Sequence, residues 1–367
     1  MKQFEFSVPT RIIFGRGKIN IIRDVIPHTI KRLIIVTDKH SGIKSGALDA
    51  ICSRLTGLDY DIFDGVEENP SIGLIDEMQD LMIKNRYQLV LAVGGGSPMD
   101  AAKGIAVVAT NEGTIWEYMD GRELENKPLP VICVPTTSGT GSEVTPYAVF
   151  SDHEKGFKGG FSNSGIYPIV SVIDPELTFS MPEDLAINTG LDVLTHAIES
   201  YLSSESSGIT DTLALHSIET VIYNLRKAGE KDEDAMCEMA YASMIAGLTI
   251  AHAGTILLHI MAYPLTVYNK VHHGKANAIL LPQFLKFMSQ NATNKDKVNT
   301  IVSLFEPFGG VRAFVEELGV STRLKDYGVS ESQLKLFAEK TIVKGDIKIT
   351  PAALTEEIIV NIYKETM

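Results

Sequence analysis

The 367-residue chain predicts an α/β N-terminal domain on a mostly parallel sheet, followed by an all-α C-terminal helical bundle domain. Three observations point there. Short β-branched runs at 33–37, 60–63, 89–93, 131–134 and 169–173 alternate with helix-length stretches near 44–56, 71–84 and 98–109, the rhythm of βαβ units. After Asp174-Pro175 strand-like runs thin out, Pro182-Glu183-Asp184 offers a helix start, and long helical patterning follows. At about 150 residues per domain the length also allows two, and the expected division is 1–180 and 181–367.

Composition narrows the function classes. With 44% apolar and 22% charged residues the chain is ordinarily globular, and a net charge of −13 argues against nucleic acid as its main partner. Cys52, Cys133 and Cys237 form no CxxC pair and leave one over, which fits a reducing cytoplasm.

Taken in order, Met1 to Arg11 alternates apolar and polar residues and reads as a first strand rather than a signal peptide. Gly15-Arg16-Gly17 reads as a hairpin turn. Thr37-Asp38-Lys39 ends the run at 33–37; an acid there takes ribose hydroxyls and repels a 2′-phosphate, or else forms an Asx turn or helix cap. Gly94-Gly95-Gly96-Ser97-Pro98 follows the strand at 89–93, and a helix continues through Met99-Asp100. Glycines let backbone approach a ligand, and the N–H groups opening a helix attract phosphate, so a pyrophosphate fits this turn. Pro135 to Glu143, with its hydroxyls and glycines, suits the same crevice after the next strand.

In the second half, Asp192 and His196 stand four apart on one helical face, one turn from each other. His259 lies within an uncharged stretch, Ala242–Ala262, read as a buried core helix rather than a membrane span, and His273 follows in His272-His273-Gly274-Lys275. His252 and His272 remain as spare imidazoles. Three imidazoles and one carboxylate suit Fe(II) or Zn(II) and fit Mg(II) or Ca(II) badly.

The stretches Gly94–Asp100, Pro135–Thr145, Ile173–Leu177, Gly190–Glu199 and His273–Pro282 together resemble the iron-containing (group III) alcohol dehydrogenases, of the lactaldehyde reductase and 1,3-propanediol dehydrogenase type. The resemblance spans nearly the whole chain. It implies a Rossmann-like sheet domain joined to a helical bundle, the dehydroquinate synthase-like plan. It also implies Asp192, His196, His259 and His273 as metal ligands and Gly94, Gly95, Gly96, Ser97, Asp100, Thr136, Thr137, Thr140, Lys158 and Leu185 as dinucleotide contacts. Asp38 matches the position where members preferring NAD over NADP carry Asp. Many members place a histidine four residues after the third ligand; here Tyr263 stands there, either relaying the alcohol proton or filling the pocket, and Tyr147 and Ile250 line the same region.

The expected activity is hydride transfer between a primary alcohol or aldehyde and NAD(H) in the interdomain cleft, by a homodimeric cytoplasmic enzyme without membrane or nucleic-acid partners. In the dimer, Phe4 to Phe14 pairs across a two-fold axis. The alternatives are a zinc glycerol dehydrogenase-like polyol oxidoreductase, which typically lacks the His196 imidazole, and a dehydroquinate-synthase-like lyase. The lyase needs clustered basic residues, and Arg226, Lys227, Lys231, Lys270 and Lys275 do not form that pattern.

Overall fold

The computed structural model describes residues 3–152 and 157–367. They pack as two compact units, one of Ser7–Pro182 with Lys231–Gly247, the other of Glu183–Glu230 and Leu248–Met367 with the N-terminal residues through Phe6.

The first unit holds strands β1 (Arg11–Phe14), β2 (Arg32–Val36), β3 (Asp59–Phe63), β4 (Val90–Gly94), β5 (Val131–Pro135), β6 (Tyr147–Asp152), β7 (Phe157–Ser162) and β8 (Val170–Ile173). Six form one sheet in the order β1-β8-β5-β4-β2-β3, every pairing parallel, while β6 and β7 pair antiparallel. Strand side chains alternate between faces, so a sheet covered on both sides needs apolar residues at successive positions. Leu33, Ile35, Leu91, Val93, Ile132 and Val134 accordingly pack with Ile22 and Ile51 in one core layer. Ile34, Val36, Val90, Ala92 and Cys133 pack with Met78, Met82 and Ile105 in the other. The chain runs from β2 outward to β3, then returns past β2 to β4 and on to β5. This reversal opens a crevice at the carboxyl ends of β2 and β4, where open α/β sheets bind ligands.

The second unit is helical. In its Glu183–Leu202 helix every residue from Ala186 to Leu202 is buried. Such a helix is central, and the Asp, His and Glu it carries must find partners inside the protein. The Gly208–Gly229 helix packs against it, opened by a capping box in which Ser207 accepts from Thr210 N–H. Leu257–Asn269 and His273–Asn291 also pack on it.

Four local expectations change. Of the first strand only Arg11–Phe14 is β-structure, because β8 offers just Val170–Ile173 as a partner; Phe4 and Val8 are exposed, and Met1 and Lys2 lie outside the described residues. Gly15-Arg16-Gly17 is no hairpin turn, since β1 pairs parallel with β8 and the chain passes into a 3-10 helix at Lys18–Ile21. The stretch near 44–56 divides into Ser41–Lys44 and Ala47–Cys52 around Gly46. Ala242–Ala262 is two helices bent by 110°, because Gly254 takes a left-handed φ of +68° that ends the first. Among the described residues no single helix is long and apolar enough to cross a membrane.

Candidate active site

In the sheet unit, the crevice at β2 and β4 is lined by the segments that the sequence singles out. Gly94 ends β4 at φ +143°, and a Cβ there would lie 2.7 Å from Pro98 and 2.9 Å from Ser41 Oγ. A Cβ on Gly96, the first residue of the Gly96–Val108 helix, would lie 2.6 Å from Thr140. The glycines thus let the 94–98 turn close against both the Asp38–Ser41 loop and the Thr137–Thr140 loop. Asp38 caps its own loop, one oxygen accepting from His40 and Ser41 N–H at 2.7 Å and the other from the Ser41 hydroxyl. The buried Thr136 hydroxyl has no partner among the described residues.

The cradle is fastened from behind. Asp100 accepts from Ser142 Oγ at 2.7 Å and from Val149 N–H at 3.0 Å. Its neighbour Lys103 is fully buried and donates to the carbonyls of Ser142, Thr145 and Tyr147 at 2.7–3.0 Å. Burial lowers the Lys103 ammonium, which the Asp100 carboxylate opposes. Lys158 in β7 is buried and donates to Asn69 Oδ1 at 2.7 Å, while Asn69 N–H donates to Ser97 Oγ at 3.1 Å. Asn69 carries one local signal in the sequence, Asn before Pro, here in a left-handed conformation at φ +57°.

In the helical unit, Asp192, His196 and His259 offer ligand atoms within 4.8 Å of one another, all three residues buried. His259 Nε2 lies 3.5 Å from Asp192 Oδ1 and has no hydrogen-bond partner among the described residues. His273 Nε2 lies 4.0 Å from the same oxygen, outside the tightest group. The His196 and His259 rings stack at 4.5 Å, and the Tyr263 ring stacks on His273 at 5.6 Å. Leu185 sits in the first turn of the helix that carries Asp192. His252 bonds its own helix at Leu248 O and stacks on Phe6, and neither it nor His272 joins the group.

These separations fit a cation. Two donors each about 2.1 Å from one tetrahedral ion stand roughly 3.4 Å apart, too far for a strong hydrogen bond between them. The electrostatics agree: burial opposes ionisation of Asp192, yet the imidazoles of His196, His273 and His259 hold it well below the usual carboxylate range. Burial would lower His259, but Glu199 at Nδ1 and Asp192 near Nε2 push it up to about 9. Close packing makes this possible. A Cβ on Gly274 would fall 1.9 Å from Asn188 O and 2.9 Å from Asp192 Cβ, so only glycine brings His273 this near the Asp192 helix. Asn277, one turn further on, donates to Asp192 Oδ1 at 3.0 Å.

Residues 9–175 match the iron-containing alcohol dehydrogenase family model, and residues 186–367 match the C-terminal model of the Fe-containing alcohol dehydrogenase family. The chain belongs to the iron-containing alcohol dehydrogenase family. It is 31% identical to the 1,3-propanediol dehydrogenase of Citrobacter freundii over 99% of each chain. Among solved structures it resembles an iron-containing alcohol dehydrogenase of Thermotoga maritima, with 37% identity, 99% of each chain and a TM-score of 0.88. It also resembles sulfoacetaldehyde reductase of Bifidobacterium kashiwanohense in complex with NAD+, with 29% identity, 100% and 99% coverage and a TM-score of 0.89. Membership makes the protein a metal-dependent oxidoreductase acting on alcohols, as its sequence motifs imply, and does not favour the glycerol dehydrogenase-like or lyase alternatives.

Proposed function

We propose that the protein interconverts small primary alcohols and aldehydes with NAD(H), holding Fe(II), or Zn(II) as the alternative, on Asp192, His196, His259 and His273. One observation carries the reading: a buried carboxylate and two buried imidazoles converge within 4.8 Å, with His259 Nε2 left without a hydrogen-bond partner among the described residues. When bound, the cation would supply Lewis acidity toward an alcohol oxygen and NAD would supply the hydride acceptor. The protein's own part is orientation. Asp192 supplies the negative charge that draws a cation into a buried site, and Tyr263, stacked on His273, forms a wall of the substrate pocket.

Residues 1–180 would carry the dinucleotide and 181–367 the metal. The 94–97 turn, whose N–H groups open the Gly96–Val108 helix, suits the pyrophosphate. Thr136, Thr137 and Thr140 line its rim, Lys158 with Asn69 steadies Ser97, and Asp38 at the crevice favours NAD over NADP. Asp100 contributes by fastening the cradle, since both its oxygens are engaged by Ser142 and Val149. Three free cysteines suit a cytoplasmic enzyme, and exposed Phe4 and Val8, which precede the edge strand β1 in the chain, suit a homodimer. Light scattering that reads a single chain's mass would contradict the dimer.

His259→Ala tests the metal site. It removes the best-placed imidazole, and the purified variant is expected to contain far less metal than the parent and to form no NADH from NAD+ and 1,3-propanediol. A variant that stays metal-loaded and active would overturn the ligand assignment.

A further inference from the structure

Glu199 is fully buried on the Asp192 helix, seven residues past Asp192 and three past His196, and it is not among the atoms that converge on the cation position. A buried carboxylate without partners is costly, so what holds it matters. Its Oε1 accepts from the N–H of Ile256 at 2.8 Å and of His259 at 3.3 Å, and its Oε2 meets His259 Nδ1. Ile256 is the N-cap of the Leu257–Asn269 helix and has no capping side chain of its own. A carboxylate at this point satisfies two orphan N–H groups and complements the positive end of the helix dipole.

We propose that Glu199 is the positioning residue of the metal site: it fixes where the His259 helix begins and, by accepting the Nδ1 proton, keeps the His259 Nε2 lone pair turned toward the cation. The inference rests on the metal-site reading above. A carboxylate only accepts, so the imidazole nitrogen facing it must carry the hydrogen, which in the neutral ring that binds a metal leaves Nε2 bare. That is the arrangement by which an outer carboxylate orients a metal-bound imidazole. One side chain therefore sets both the location of His259 and its tautomer.

Glu199→Gln separates these duties. The amide oxygen has two backbone N–H donors to satisfy and turns toward them, so the amide nitrogen faces Nδ1. That nitrogen donates, Nδ1 becomes the acceptor, and the hydrogen moves to Nε2, where it blocks coordination. The metal-free variant is expected to melt close to the parent, because the cap persists. Its affinity for Zn(II), measured by competition with a chromophoric chelator, is expected to fall by about 10–100-fold. Nitrogen-15 spectra of the metal-free protein, labelled at histidine and recorded at pH 10 so that the ring is neutral, are expected to show the His259 hydrogen on Nδ1 in the parent and on Nε2 in the variant. Glu199→Asp, which keeps the charge but shortens its reach, serves as the second variant and is expected to lose less affinity than Glu199→Gln.

Parental Zn(II) affinity in Glu199→Gln, or an unchanged His259 tautomer, would overturn the inference. The two readings fail differently. If His259→Ala also binds Zn(II) like the parent, the ligand set is wrong; if His259→Ala loses Zn(II) while Glu199→Gln keeps it, the ligands stand and the positioning role falls.

Discussion

Glu143, in the segment that follows β5, is buried, and burial pushes its carboxyl up to about 7 from an ordinary 4.5, against the pull of its own backbone N–H and of Lys103. An acid whose folded value exceeds its unfolded value holds an extra proton in the native state. Its contribution is therefore complete below pH 4.5 and is lost as pH climbs toward about 7. Glu143→Gln removes this titration, so its melting temperature relative to the parent is expected to rise from pH 5 to pH 8. A difference that stays flat across that range would contradict the buried-acid account. Several residues were legible one at a time: Asp192, His196, His259 and His273 each stand out as polar side chains in apolar helical sequence. Glu199 carries the same signal, since 192, 196 and 199 make one stripe on one face, but its partner at Ile256 depends on a helix break that spacing does not reveal. Asn69 is harder still, because its partners Ser97 and Lys158 are 28 and 89 residues away.

The elements of the sheet unit were the most readable, because a parallel sheet buried on both faces demands continuous β-branched runs, and β2, β4, β5 and β8 are such runs. The antiparallel pair β6 and β7 went unread; Phe157–Ser162 contains Gly159-Gly160, which a strand pattern does not favour. The bend between Glu233–Ala253 and Leu257–Asn269 was hidden for the opposite reason, its apolar residues running straight through Gly254. The contact of the His273–Asn291 helix with Glu183–Leu202 depends on Gly274. Gly274→Ala would place a methyl 1.9 Å from a backbone carbonyl, and backbone cannot turn aside as a side chain does. The two helices are expected to separate at a cost of about 1–3 kcal/mol, read as a lower melting temperature, with loss of bound metal. Unchanged stability and metal content would show that the close approach is not needed.

At the scale of the whole chain, the succession of βαβ units followed by helices was legible in residue type, and the family in five short segments spread along it. What the segments leave open is the chemistry that pocket shape and ion supply decide: which alcohol, and Fe(II) or Zn(II). The role proposed for a cation on the Asp192 cluster is NAD-linked alcohol oxidation. The direct measurement is to strip the protein with a chelator under anaerobic conditions, restore Fe(II) or Zn(II) separately, and follow NADH with primary alcohols and diols. No NADH is expected from the stripped protein, and Fe(II) is expected to restore it. Full activity after stripping, or no activity with either ion, would contradict it.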